Sequence, residues 1–302
     1  MAFDKTHFAA NFNFLGIDDE FSRYEDAKAV VVPVPFDGTT SYKSGTREGP
    51  RAIITASRQI EHYDLDLDCE PAIKGIHTLP DLAIDTDSPE KTVNNIETAI
   101  SQIYEDNKLP IMLGGEHTIT TGAVRAAKVK YGDTLSVLQL DAHSDMRDEY
   151  EFSKYNHACV LRRCSELCPV TQVGIRSTCK DEIEYFKKTN HFDAIVWAKE
   201  IAQPSKAWMD RVLNRLTENV YLTIDLDAFD PSIMPAVGTP EPGGMLWYQT
   251  LELLNRVIDE KNVIGFDIVE LDPIQGNISS DFVAAELGFK IIGRIFKKNG
   301  WI

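Results

Sequence analysis

Short apolar runs rich in β-branched residues recur along the chain, and a segment of helical length follows each of them. Strands that are apolar throughout, instead of alternating with polar residues, are typical of a parallel sheet whose two faces are covered by helices. The pattern therefore predicts an α/β fold. The predicted strands are residues 29–34, 110–113, 135–140, 170–175, 194–197, 220–224 and 263–268.

The segments between these strands have helical periodicity, and several begin with proline or a short polar cap. No linker, repeat or low-complexity tract interrupts the alternation of strand and helix, so we expect a single domain over residues 1–302. The predicted helices are residues 50–62, 89–106, 119–130, 180–188, 204–216, 247–259 and 281–296.

Charge and composition narrow the classes of partner. The chain has 31 basic and 47 acidic residues, a formal charge of -16 that would repel nucleic acid, so a small neutral or cationic partner is more natural. No apolar run reaches the roughly 18 residues that span a bilayer, and the N-terminus lacks a signal-peptide pattern. Five cysteines without a C-x-x-C pair are typical of reduced thiols. We expect a cytoplasmic protein with no membrane or nucleic-acid partner.

Three predicted strands run into unusually polar segments. These are GGEHT at 114–118, DAHSD at 141–145 and DLDAFDP at 225–231. Side chains of an extended segment alternate between faces, so Asp141, His143 and Asp145 would share one face, as would Asp225 and Asp227. Ligands of α/β sheets bind at the carboxyl ends of the strands, which is where these groups fall.

Carboxylates crowded at buried strand ends need a cation, because unpaired buried charge costs several kcal/mol per ion. Four aspartates and two histidines are too many ligands for one ion, whereas two ions that share carboxylates fit the number. Oxygen and imidazole ligands without thiolate favour Mn²⁺ over Zn²⁺. The candidate ligands are His117, Asp141, His143, Asp145, Asp225 and Asp227.

Simpler interpretations exist for the same residues. Aspartates at strand ends commonly cap turns, and His117 could be an ordinary residue at the start of a helix. The glycine pair Gly114 and Gly115 fits no phosphate-loop pattern and predicts close backbone turns instead.

Taken together, these motifs resemble the signature set of the ureohydrolases, the arginase and agmatinase superfamily. The resemblance also includes PFDGTTSYKSGTREGP at 35–50, VGTPEPGG at 237–244 and GFDIVELDP at 265–273, in the family's order along nearly the whole chain. It implies a three-layer α/β/α sandwich around a mostly parallel eight-stranded sheet, with two Mn²⁺ ions per chain at the carboxyl ends of the strands.

The resemblance also implies roles for individual residues. His117, Asp141, Asp145 and Asp225 would hold one ion, and Asp141, His143, Asp225 and Asp227 the other. Three residues would be catalytic: Asp145 in moving a proton, His157 in proton transfer near the substrate, and Glu270 in binding the guanidinium group. His157 could instead only begin a helix, and Glu270 could be the buried partner of a basic residue.

The implied activity is hydrolysis of a guanidino compound to urea and an amine, with agmatine to putrescine as the leading reaction. Alternatives are L-arginine, guanidinobutyrate or N1-aminopropylagmatine as substrate, a one-zinc amidohydrolase of the deacetylase type, or a non-catalytic binding or regulatory relative. Members of the family are commonly homotrimers or homohexamers, and we expect a homo-oligomer here.

Between the metal motif and His157, the segment 146–156 carries three acids, Asp148, Glu149 and Glu151. Acids facing the site would repel a substrate carboxylate and attract a second amine. We therefore expect one or more of them to face the pocket and to favour agmatine over arginine.

Overall fold

A computed structural model describes residues 10–302, and its centre is one eight-stranded sheet. The strands are β1 Ala29–Val34, β2 Ile76–Thr78, β3 Leu109–Gly114, β4 Leu135–Leu140, β5 Val170–Ile175, β6 Ile195–Trp197, β7 Asn219–Asp225 and β8 Asn262–Val269. Their order in the sheet is β2-β1-β3-β8-β7-β4-β5-β6, and every neighbouring pair is parallel. The predicted α/β class and eight-stranded sheet are confirmed.

Ten α-helices lie in the described part of the chain. They are α1 Asp19–Ser22, α2 Gly49–Ser57, α3 Pro89–Glu105, α4 Thr120–Tyr131, α5 Val160–Ser165, α6 Lys180–Thr189, α7 Ala198–Ile201, α8 Ala207–Arg215, α9 Trp247–Glu260 and α10 Ser279–Lys298. Among these helices, none is long and apolar enough to cross a membrane.

Two hydrophobic cores lie on the two faces of the sheet and give the three layers. Alternate residues of β1 show the division, because Ala29 and Val31 belong to one core and Val30 and Val32 to the other. Helices α2, α8, α9 and α10 supply the first core, and α3, α4, α5 and α6 supply the second. Both faces are therefore covered, as the wholly apolar strands predicted.

Most predicted strands agree with the observed ones to within a residue or two at each end, but β2 was missed. Its three residues, Ile-His-Thr, contain one apolar side chain and pair only with β1 at the edge of the sheet. Helix α2 also ends at Ser57, before the predicted end at 62. A turn follows it, in which the N–H groups of Gln59 and Ile60 donate to the carbonyls of Ala56 and Ser57.

One row of neighbouring positions across the sheet is polar although it is fully buried. Gln172, Gln139, Thr223 and Asp267 are successive partners on β5, β4, β7 and β8, and none has measurable exposure. We call these four residues the polar row. It lies two residues before Asp141, which directly follows β4, and two residues before Asp225, the last residue of β7, so it directly underlies these candidate metal ligands.

Candidate metal centre

His117 lies at the centre of the first group of candidate ligands. It follows β3 in a short 3-10 turn, His117–Ile119, and its side chain is fully buried. Its Nδ1 is 3.1 Å from Asp141 Oδ2, 3.1 Å from Asp145 Oδ2 and 3.3 Å from Asp225 Oδ2. Residues that lie up to 108 positions apart in the sequence, from His117 to Asp225, thus meet at one point.

A second group adjoins the first and shares Asp141. His143 Nδ1 is 2.8 Å from Asp227 Oδ2 and 3.7 Å from Asp141 Oδ1. One ligand atom from each of Asp141, His143 and Asp227 lies within 4.8 Å of the others, and the same holds for His117, Asp141 and Asp145. The structure therefore brings all six candidate ligands together, with Asp141 between the two groups.

The local backbone differs from the extended one that we expected. Asp145 has a left-handed φ of 51°, and Asp227 lies in the 3-10 turn Leu226–Ala228 beyond the end of β7. The prediction of shared faces on extended segments was therefore wrong for Asp145 and Asp227. Hydrogen bonds hold these turns instead, since Asp225 Oδ1 accepts from Asp227 N and Asp227 Oδ1 accepts from Ala142 N.

The hydrogen bond made by the other ring nitrogen of His117 leaves its Nδ1 facing three carboxylates. Thr223 Oγ1 donates to Asp267 Oδ1 over 2.6 Å, so it accepts from His117 Nε2, 2.7 Å away. This bond occupies Nε2 and leaves Nδ1 directed at three carboxylates, and a hydrogen bond at the other ring nitrogen is a recurring arrangement around metal-binding histidines. Nδ1 is buried and has no hydrogen-bond partner of acceptable geometry in the described chain. The donor set thus fits divalent metal ions.

The crowding of buried carboxylates around His117 also shifts the pKa values of these residues. Burial alone lowers the pKa of His117, but the adjacent carboxylates of Asp141, Asp145 and Asp225 outweigh it and raise the pKa well above its usual range. Burial, and then the charge of Asp227, raises the pKa values of Asp141 and Asp225. Negative charge therefore dominates this centre, and a cation would relieve it.

His143 and Asp227 form a pair that stabilises its own charges. Burial alone would lower the pKa of His143, but the charge of Asp227 raises it to about 11. Burial alone would raise the pKa of Asp227, but the charge of His143 lowers it to about 2. A metal ion at His143 would displace the proton that now joins the pair.

Glu270 follows β8 with a left-handed φ of 66°. Its Oε1 accepts the backbone N–H of His117 over 2.7 Å, and its own N–H donates to Gly115 O over 2.9 Å. Burial, and then the charges of Asp225 and Glu116, raises its pKa. The hydrogen bond that holds Glu270 thus comes from a backbone amide and not from a basic side chain, and Glu270 lines the pocket together with the candidate ligands Asp225 and Asp227.

His157 begins a 3-10 turn, His157–Cys159, and also lines the pocket. Its position therefore agrees both with a residue that starts a helix and with a residue that lies near the substrate. The residue that holds it, Thr39, was missed by the sequence analysis. Thr39 Oγ1 donates to Glu116 Oε1 over 2.7 Å and accepts from the His157 backbone N–H over 3.1 Å. The Glu116 carboxyl is fully buried, and burial raises its pKa to about 8.

The pocket above these groups has a volume of about 220 Å³. Asp145, His157 and Glu270 line it together with Arg147 and Tyr150. The guanidinium of Arg147 lies 4.3 Å from the centre of the Tyr150 ring, close enough for a cation–π contact.

The expectation that acids of segment 146–156 face this pocket was wrong. Asp148 Oδ1 instead accepts a hydrogen bond of 2.6 Å from Arg163, a buried residue of α5. Glu149 and Glu151 are exposed, and none of the three acids lines the pocket. Ion pairing with Arg163 holds Asp148 away from the pocket, so the structure gives none of these three acids a place in its lining.

Comparison with known proteins gives consistent matches along the chain. The model of the Arginase family matches residues 27–293. The chain is 41% identical, over 91% of each sequence, to the N(1)-aminopropylagmatine ureohydrolase of Synechocystis, and 37% identical to the agmatinase of Pyrococcus horikoshii over 89% of this chain and 92% of that protein. The crystal structure of the agmatine ureohydrolase of Thermoplasma volcanium superposes with a TM-score of 0.86 at 33% identity over 97% of both chains.

Proposed function

The chain belongs to the arginase family, and from that premise we propose that it is a ureohydrolase that splits a guanidino compound into urea and an amine. The observation that carries the proposal is the meeting of six candidate metal ligands, four of which line one pocket together with Glu270 and His157. A non-catalytic relative would have no need to keep every ligand in place. The one-zinc amidohydrolase alternative is disfavoured because two groups of ligands are present.

We propose that His117, Asp141, Asp145 and Asp225 hold one ion and that Asp141, His143, Asp225 and Asp227 hold the other. When bound, two divalent ions would lower the pKa of a water molecule toward neutrality for attack on the guanidinium carbon. Oxygen and imidazole ligands without thiolate support Mn²⁺ as the metal. Four ligand carboxylates would balance two dications, so Glu270 is left as the anion available to a cationic substrate.

Glu270 would orient the substrate. The backbone amide of His117 holds its Oε1, which leaves Oε2 to accept an N–H of the guanidinium group. A carboxylate beside the plane of a guanidinium gives a charge-assisted hydrogen bond, which is stronger and more directional than a neutral one. The left-handed backbone at Glu270 is a sign of a functional constraint at this position.

Asp145 and His157 would move protons. Asp145 lies within the first ligand group and also lines the pocket, so its carboxylate can accept a proton from the attacking water. His157 has its Nδ1 3.4 Å from Thr39 Oγ1 and its Nε2 3.3 Å from Ser41 Oγ. Because burial lowers its pKa, its imidazole is neutral near pH 7 and can relay a proton to the leaving amine.

Agmatine is the substrate that we propose, with putrescine as the amine product. Support comes from relatives named agmatinase, since the acids of segment 146–156 lie away from the pocket. A second candidate, N1-aminopropylagmatine, is favoured by the 41% identity to the Synechocystis enzyme of that name.

A urea-release assay of the Mn²⁺-loaded protein tests the function and the substrate together. The panel is agmatine, N1-aminopropylagmatine, L-arginine and guanidinobutyrate. We expect kcat/KM for agmatine to exceed that for L-arginine at least about 10²-fold, which is roughly 2.7 kcal/mol in transition-state binding. Equal rates on agmatine and arginine, or preference for guanidinobutyrate, would contradict the substrate proposal, and no urea from any compound would contradict the activity.

We also propose that the protein acts in the cytoplasm as a homo-oligomer, either a trimer or a hexamer. The support is membership of a family whose members are commonly trimers or hexamers. Light scattering coupled to size-exclusion chromatography measures the mass in solution, and a monomer of 33.9 kDa would contradict the oligomer.

A further inference from the structure

A chain of buried polar side chains runs from Asp141, at the carboxyl end of β4, to the edge of the sheet. Gln139 Nε2 lies 2.6 Å from Asp141 Oδ2, and Gln172 Nε2 contacts Gln139 Oε1. Gln172 Oε1 in turn lies 2.9 Å from His191 Nε2. Both glutamines belong to the polar row and are fully buried, so water does not compete for these bonds.

The direction of both amides is fixed by atoms that can only accept. Gln139 Nε2 also contacts the backbone carbonyl of His143 at 3.3 Å, and Gln172 Nε2 contacts that of Ser144 at 2.7 Å. A carbonyl oxygen has no proton to donate, so the NH₂ group of each glutamine must face it. Each amide oxygen then faces the next donor in the chain.

The orientation of the two amides determines which ring nitrogen of His191, the last residue of the chain of hydrogen bonds, carries the proton. Gln172 Oε1 accepts only, so His191 must carry its proton on Nε2. The ring of His191 packs against the buried side chain of Phe186, with ring centres 5.4 Å apart, directly after Asn190 ends α6 in a left-handed conformation. The ring is therefore held in position by packing as well as by its hydrogen bond.

We propose that His191, Gln172 and Gln139 form a one-way hydrogen-bond chain that positions the carboxylate of Asp141 for metal binding. Every bond donates toward Asp141, which accepts from Gln139 at Oδ2 and from the backbone N–H of His143 at Oδ1. The proposal rests on the proposed function only for the role of Asp141 as a metal ligand. His191 is a positioning residue and not a catalytic one.

The charge state of His191 agrees with this arrangement. Burial, and then the charge of Arg215, lowers its pKa to about 4, so its imidazole is neutral near pH 7. A neutral imidazole with its proton on Nε2 donates one hydrogen bond and adds no charge to the chain.

Metal affinity of the full-length protein tests the proposal. Gln172→Met removes the amide at nearly constant volume, and His191→Phe removes the donor but keeps a ring against Phe186. Loss of a residue that orients a metal ligand typically weakens binding by about 10-fold to 100-fold, and we expect Gln172→Met to weaken Mn²⁺ binding by at least about 10-fold and His191→Phe by about 3-fold to 10-fold. Unchanged dissociation constants in both variants would overturn the proposal.

His77→Phe is the matched control. His77 is also half-buried, donates one hydrogen bond of 2.7 Å to a carbonyl, that of Ser22, and packs against an aromatic ring, Tyr24. It lies on β2 at the opposite edge of the sheet. We expect His77→Phe to leave the Mn²⁺ dissociation constant unchanged, and an equal weakening by this variant would reduce the effect of His191 to general destabilisation and overturn the proposal.

Nitrogen NMR of the wild-type protein keeps the proposal testable even if a variant does not fold. With diamagnetic Zn²⁺ in the site, His191 should be neutral and protonated on Nε2 at pH 7.5, and a proton on Nδ1 would overturn the chain. These readouts do not depend on urea release. An inactive wild type with the expected tautomer and affinities would contradict the proposed function alone, whereas an active one with a reversed tautomer would contradict only the chain.

Discussion

Asp225 is the residue whose replacement tests the metal centre most directly. Its carboxylate lies against His117 and is proposed to contact both ions. We expect Asp225→Asn, which removes the charge but keeps the shape, to reduce the metal content from two ions per chain to one or none, as measured by elemental analysis. Two ions per chain in this variant would contradict the bridging role.

Asp230→Asn is the control for Asp225→Asn. Asp230 lies in the same DLDAFDP motif, but its carboxylate holds a turn and is not a candidate metal ligand. Asp230 accepts hydrogen bonds from the N–H groups of Ser232, Gly243 and Gly244, and the Ser232 hydroxyl together with these groups lowers its pKa to about 2. The substitution should lower stability while two ions remain bound.

His157 is expected to affect turnover without affecting the metals. We expect His157→Ala to lower kcat by roughly 10²-fold to 10⁴-fold with unchanged metal content, because it removes a proton-transfer group and no ligand. Burial lowers the pKa of His157, so its imidazole becomes charged only as the pH falls below about 6.5, and any loss of kcat that depends on this residue should appear there. Loss of metal in the variant would contradict the assignment, and full activity would leave His157 as a helix-start residue only.

Asp145 and Glu270 show what the sequence could not predict about single residues. Both residues were assigned to the site, but their left-handed backbones, with φ values of 51° and 66°, were not foreseen. Neither aspartate nor glutamate signals this conformation as glycine does, since contacts distant in sequence impose it. Thr39 was missed, and Glu116 in the GGEHT segment was given no role, for a related reason, because a hydrogen bond between residues 77 positions apart leaves no local pattern.

The strands were the most predictable elements, because a strand buried on both faces must be apolar along its whole length. Strand β1 was predicted with its observed bounds, Ala29–Val34. The polar row breaks this rule, and its residues were not recognised from the sequence. Register between strands decides which polar side chains meet, and a single sequence does not contain the register.

Gly115 shows how closely two elements approach at the site. A Cβ at this position would lie 1.8 Å from the backbone oxygen of Phe36, which no side-chain movement can relieve. We expect Gly115→Ala to separate the turn after β3 from the segment after β1, to destabilise the protein by several kcal/mol and to weaken metal binding, as measured by denaturant unfolding and by metal titration.

Gly132→Ala provides the comparison for Gly115→Ala. Gly132 has a positive φ of 58°, but a Cβ added there would have no described atom within 4 Å, so only the backbone cost of about 1 kcal/mol applies. Equal losses of stability in the two variants would show that crowding by Phe36 is not the constraint at Gly115.

Across the whole molecule, metal binding should determine how stability depends on pH. The metal-free centre holds Asp141 and Asp225 with pKa values raised above 3.8, chiefly by burial. At these two groups the folded protein binds more protons than the unfolded chain above about pH 4, so their contribution to stability falls as the pH rises through this range. His117 has a raised pKa and contributes with the same sign.

Metal binding reverses this contribution because the ions replace those protons and bind more tightly as the ligands deprotonate. At free metal 1,000-fold above its dissociation constant, binding adds about 4 kcal/mol of stability per site. We therefore expect chelation to lower Tm at pH 8 by at least about 5 °C, and by less at pH 5.

The net charge of the surface affects both forms alike, so the difference in Tm between the metal-loaded and the chelated protein reports on the metal centre alone. In Asp225→Asn the Tm difference between loaded and chelated protein should be smaller at every pH. In the wild type, a Tm difference that becomes smaller as the pH rises would contradict the proposal that buried, protonated carboxyls exchange their protons for metal ions.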